Sequence, residues 1–98
     1  MKDIVVIIPM HEFNKENIEL LNKAVDSVPN ELNVLLSIPK GTEGKKLKGI
    51  SDRLGVVSES KGSSFAELVN AAVDMIEEKW FSILEFDDTY TPIWLKNI

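Results

Sequence analysis

The hydrophobic pattern opens with Ile4, Val5, Val6, Ile7 and Ile8, an unbroken β-branched run closed by Pro9. Apolar side chains at odd and even positions alike fit a strand covered on both faces, as in a parallel sheet. After the loop 10–14, Ile18, Leu21, Val25 and Val28 recur at helical spacing with Ala24 beside them, which predicts a helix from Lys15 to about Val28. Asn14 stands at its N-cap position, and Glu16 sits in the first turn, where the helix dipole favours an acid. Pro29 and Asn30 end it. Asn33–Ile38 predicts a second strand, stopped by Pro39. The polar stretch 40–49 reads as a loop that enters a short helix around Leu47–Leu54, ended by Gly55. Gly55–Glu59 predicts a third strand. Ser64 with Glu67 forms a capping-box pattern for a helix to about Glu78, with Phe65, Leu68, Val69, Ala72, Val73 and Ile76 as its inner face. A fourth strand begins at Trp80, and Thr91 with Pro92 suits the start of a last helical turn, Ile93–Ile98. Strand and helix alternate throughout. That alternation predicts an α/β fold: one small, Rossmann-like, open and mainly parallel four-stranded sheet with helices on both faces, spanning residues 1–98 as a single domain.

The totals narrow the function classes. The chain has 98 residues, 44% hydrophobic and 28% charged, as in an ordinary globular domain. A net charge of −5 argues against nucleic acid or an anionic membrane surface as partner. With no cysteine and a single histidine, His11, thiolate metal sites, thiol nucleophiles and multi-histidine centres are excluded within one chain. No apolar run approaches the ~20 residues of a membrane span. The N-terminus reads as a strand with no small-residue cleavage site, so no signal peptide is expected and a cytoplasmic location follows as the expectation.

The most informative stretch is Trp80–Pro92, WFSILEFDDTYTP. Bulky apolar residues give way to Glu85, Asp87 and Asp88 where the strand should run out of the sheet. In open α/β sheets that carboxyl end is where ligands bind. Clustered carboxylates repel, and a cation or a hydrogen-bond network commonly offsets them. A solvated acidic loop is the plainer alternative. Lys40, Lys45, Lys46 and Lys48 lack the spacing of a P-loop and read as a solvated loop.

Taken together, these segments resemble the first half of a family 2 glycosyltransferase, the GT-A nucleotide-sugar-binding fold. Val5–Pro9 with Phe13 and Asn14 is similar to the family's opening strand and "IPxYN" loop, here slightly longer. Ala24–Val28 (AVDSV) resembles its "AIxSV" helix end. Asn70 precedes Glu85 at the spacing between the family's helix asparagine and its "LDxDD" strand end, so Leu84–Asp88 aligns with the DxD segment and Glu85 takes the place of the first Asp. The resemblance implies a sheet in the order 3-2-1-4 and a nucleotide or nucleotide sugar bound through Mn²⁺ or Mg²⁺. It makes Asp87 and Asp88 the metal ligands. Pro9, His11, Phe13, Asn14, Asn70 and Glu85 become the nucleotide-binding residues. Two departures stand out. The position after the second strand, Ile38–Thr42, carries no acid before its glycine, and the arginine that often precedes the helix asparagine is Val69. The family's acceptor half and catalytic base follow the DxD segment, and this sequence closes soon after it. The expectation is therefore nucleotide-sugar binding, not complete sugar transfer by these residues alone. Two other readings compete: a non-catalytic interaction or assembly protein on the same scaffold, with a protein partner or a second copy as its target, such as an accessory protein of a phage or mobile element, and a different open α/β module of flavodoxin-like or receiver-like type. A receiver wants an acidic pair near the end of its first strand, where this chain has Pro9, Met10, His11 and Glu12.

Overall fold

The structure, a computed structural model, describes residues 3–42, 44–54, 56–87 and 95–96. Among the described residues, five strands and two α-helices follow in the order β1 (Ile4–Pro9), α1 (Lys15–Ser27), β2 (Asn33–Pro39), β3 (Val56–Ser60), α2 (Phe65–Met75), β4 (Trp80–Ile83) and β5 (Leu95–Lys96), with a 3₁₀ turn at Gly44–Leu47 between β2 and β3. The sheet order is β3-β2-β1-β4-β5. The first four of these strands are mutually parallel, in the expected 3-2-1-4 arrangement.

The uninterrupted apolar run of β1 is explained by what covers it. Val6 and Ile8 face α1 and join Leu21, Ala24, Val25 and Val28. Val5 and Ile7 face the other way, toward Ala72 of α2 and partly buried Val73 and Ile76. Val6, Ile7 and Ile8 are fully removed from solvent. Burying each such side chain stabilises the fold by about 1.5–3 kcal/mol. Both helices start at the capping residues read from the sequence. The Asn14 side chain accepts from the Asn17 amide at 2.8 Å. The Ser64 hydroxyl accepts from the Glu67 amide at 3.2 Å and donates to the Glu67 carboxylate at 2.8 Å.

The structure corrects four expectations. In place of the short helix expected around Leu47–Leu54, Gly44–Leu47 coils as a 3₁₀ turn and residues 48–54 follow as turns and irregular chain. That segment is held by α1 through the Asn22 amide, which donates to the Gly49 carbonyl at 2.9 Å and accepts from the Ser51 amide at 2.8 Å. Bonds from another element replace the internal bonds of a helix, and Gly49 at φ +90° turns the chain there. Second, α2 ends at Met75, short of Glu78. Third, Leu95 and Lys96 are not helical. They pair antiparallel with β4, Leu95 opposite Phe81 and Lys96 opposite Trp80, where the outer edge of β4 offers unpaired backbone groups. The rest of the expected final turn, with Thr91, Pro92 and Trp94, lies outside the described residues. Fourth, Phe65 is 52% exposed and not part of the packed inner face of α2.

One side chain that the sequence did not flag holds the lower end of the fold. Arg53 reaches under the C-terminus of α1. One guanidinium nitrogen donates to the carbonyls of Val25 at 2.8 Å and Val28 at 2.6 Å. The other donates to Leu32 at 3.2 Å and also to Pro29. The last turn of α1 carries no basic residue of its own. Arg53 therefore supplies both the missing donors and the positive charge that a helix C-terminus favours.

Candidate functional site

The site begins with a hydrogen atom that proline lacks. The carbonyl of Ile7 accepts from the Leu84 amide at 2.9 Å, so residue 7 points its backbone groups at β4. Alternation along the strand turns residue 8 toward β2 and residue 9 back toward β4. Residue 9 is Pro9, which has no amide hydrogen to donate. The β1–β4 register accordingly ends at Ile7 opposite Ile83. On the other side β1 stays attached to β2, with the Met10 amide donating to the Ser37 carbonyl at 3.0 Å. The two chains part beyond this point, at the carboxyl end of the sheet, between strands whose connections run in opposite directions. That is the position where open α/β sheets take ligands.

A crevice of about 210 Å³ occupies the gap. Pro9 and His11 border it from the exit of β1, and Glu85, Phe86 and Asp87 from the exit of β4. Phe65 and Leu68 of α2 complete the wall. The side chains of Glu85 and Asp87 are exposed, and Phe86 is half-buried against the core on the α1 side. His11 is half exposed, and its Nε2 lies 3.5 Å from a carboxylate oxygen of Glu12. The N-terminus of α2 borders the same space, since Phe65 is its first residue.

The crevice thus brings together Pro9, His11, Glu85 and Asp87 among the residues expected to bind nucleotide or metal. The others lie elsewhere. Phe13 and Asn14 border a separate concavity of about 410 Å³, with Ile18, Asn22, Lys48 and Gly49. Phe13 packs against the core there, and the Asn14 side chain is engaged in capping α1. Asn70 is exposed on α2 and does not line the crevice. Asp88 lies outside the described residues. Among the described residues no three His, Asp or Glu side chains converge as a ready metal set. Glu85 and Asp87 are the carboxylates that border the crevice, and carboxylate oxygen is the donor type that hard divalent cations take.

The crevice residue that sequence reasoning missed is Phe65. On helical spacing it belongs to the Leu68–Ala72 stripe. It stands at the first helical position, however, where it is 52% exposed and borders the crevice beside the residues that leave β1 and β4. The Ser64 cap was the available signal, because it fixes Phe65 at the helix end.

A larger concavity, about 510 Å³, lies at the opposite end of the sheet, bordered by Leu32, Asn33, Arg53, Met75 and Glu77. Its size does not make it the better site. Its one cationic group, Arg53, is committed to backbone carbonyls, and it sits at the amino ends of the strands. Among the described residues no helix is long and apolar enough to cross a membrane. Compared with known proteins, the chain matches no family model, no curated protein and no solved structure.

Proposed function

We propose that this domain binds a nucleoside diphosphate or its sugar ester at the β1–β4 crevice, as the nucleotide-binding half of a scaffold of the family 2 glycosyltransferase type. The observation that carries the reading is the convergence of Glu85 and Asp87, from the end of β4, with His11, from the end of β1, around one opening at the sheet's carboxyl edge. Glu85 and Asp87 would hold Mg²⁺ or Mn²⁺, with Asp88 next to them in sequence. The ion, when bound, neutralises charge on the diphosphate. The chain's own groups do the rest. The carboxylates would place the cation, the positive end of α2 favours the anion, and Pro9 keeps the sheet open above β1. Two carboxylates alone make a weak cation site, so metal and nucleotide bind together or not at all.

The test is a titration of UDP and of GDP, each with and without Mg²⁺, into ¹⁵N-labelled protein. Mn²⁺ then serves as a paramagnetic probe. The expected result is metal-dependent shifts at His11, Glu85 and Asp87, and relaxation broadening centred on Asp87. No shift at millimolar nucleotide refutes the reading.

A second reading, a non-catalytic interaction protein, draws on Met75, which is 47% exposed at the rim of the 510 Å³ concavity. It predicts nucleotide silence together with self-association or partner binding, measured by sedimentation, that is lost in Met75→Glu.

A further inference from the structure

We infer that Phe65 is the stacking platform for a planar heterocycle, so that the ligand of the β1–β4 crevice is read at its nucleobase as well as at its phosphates. This rests on the nucleotide reading of the site. The observation is an unusual placement. Phe65 and Met75 are the two large apolar side chains that stand exposed among the described residues, at 52% and 47%. Met75 lies at the far end of α2, and Phe65 alone of the two borders the carboxylate crevice. A solvated phenyl ring does not help an acidic cation site, which needs oxygen donors and water. It does suit a ligand with a flat π face joined to an anionic group. Base–aromatic stacking is worth about 1–3 kcal/mol per base and tolerates any base, because every base has a π face.

The surroundings fit such a two-part ligand. Leu68, one turn on from Phe65, is 1% exposed and lines the same crevice, and Phe86 adds a second aromatic group to its lining. Glu85 and Asp87 line the same opening from the exit of β4, so a base on Phe65 and a metal-bound phosphate would be held by different groups within one crevice. The first position of α2 also fixes the ring's location. Its backbone is set by the Ser64–Glu67 capping pair, so only the ring itself is left to order when the ligand arrives. Recognition by stacking leaves the base edges unread. The site therefore accepts uridine and guanosine diphosphates alike, and discriminates against anions that have no base.

The experiment compares UDP with inorganic pyrophosphate, each with Mg²⁺, on wild type, Phe65→Leu and Phe65→Tyr. Leucine keeps apolar bulk and removes the π face, and tyrosine restores it. Phe65→Leu is expected to bind UDP about tenfold more weakly while binding pyrophosphate as the wild type does. Phe65→Tyr should recover UDP binding. In the wild-type complex, nuclear Overhauser contacts should join the uracil protons to the Phe65 ring, and those protons should shift upfield. The position is exposed, so thermal melts of the variants should overlay that of the wild type. Unchanged UDP affinity in Phe65→Leu, or equal loss for UDP and pyrophosphate, overturns the stacking role while leaving the nucleotide site standing. A wild type that binds neither probe removes the site itself, and the stacking role with it.

Discussion

Arg53 offers the most direct test of how the fold is held. Replacing it with methionine keeps an unbranched apolar stem and removes the fork. The carbonyls of Val25 and Pro29 keep other donors, the amides of Val28 and Leu32, at 3.1 Å each. Water can reach the Pro29 carbonyl, whose bond to Arg53 is solvent-exposed. The serious losses are the part-buried bonds to Val28 and Leu32, at 2.6 and 3.2 Å. At about 1 kcal/mol each, plus about 0.3–1 kcal/mol for a positive charge at the C-terminus of α1, the total is ~2–3 kcal/mol. In a domain of this size, each kcal/mol moves the melting midpoint by about 4–8 °C. Urea unfolding should show a lower midpoint with an unchanged slope, since the variant exposes nearly the same surface on unfolding as the wild type. Arg53→Lys separates charge from geometry. An ammonium cannot span four carbonyls, so it should recover about half the loss at most. Arg53→Met within ~0.5 kcal/mol of wild type would falsify the account, because that is the scatter of an ordinary surface substitution. Arg53→Lys equal to wild type would show that charge alone matters.

Three further outcomes follow from single features. Ser58 and Ser82 bury their hydroxyls without a hydrogen-bond partner among the described residues, so Ser82→Ala and Ser58→Ala should be neutral or stabilising by up to about 1 kcal/mol in urea melts. Clear destabilisation would reveal a partner. Asn14→Ala removes the cap of α1 and should cost about 1 kcal/mol, with faster hydrogen exchange confined to the first turn of that helix. The double variant Glu85→Gln, Asp87→Asn should keep wild-type stability and lose metal-dependent UDP shifts. Retention of those shifts would move the metal elsewhere.

The parts of the fold that the sequence revealed are those decided locally. A β-branched run without alternation announces a strand buried on both faces, and Asn14 and Ser64 announce helix starts. Where distant groups decide, the sequence was silent. Residues 47–54 look helical until Asn22 takes their backbone bonds from across the fold. Leu95 and Lys96 follow a helix-start pattern, but the free edge of β4 captures them. The candidate site divides the same way. Glu85 and Asp87 stood out in the sequence as acids after an apolar strand, and both border the crevice. Phe13 and Asn14 share a loop with His11, yet they border a different concavity, and adjacency in a loop does not reveal the side to which each residue turns. Phe65 carried a core residue's spacing at a position where the core had already ended.

The break at Pro9 has a thermodynamic consequence. At Pro9 a covalent ring occupies the place of the amide proton that the next β1–β4 bond would need, and no change of temperature, pH or ligand can supply it. The opening is thus part of the ground state, present before anything binds. A guest entering it breaks no backbone bond and waits for no segment to unzip, so association should be fast and nearly insensitive to how stable the rest of the domain is. Pro9→Val would reverse this: the sheet could close by one rung, and the domain would become firmer and less receptive at the same stroke.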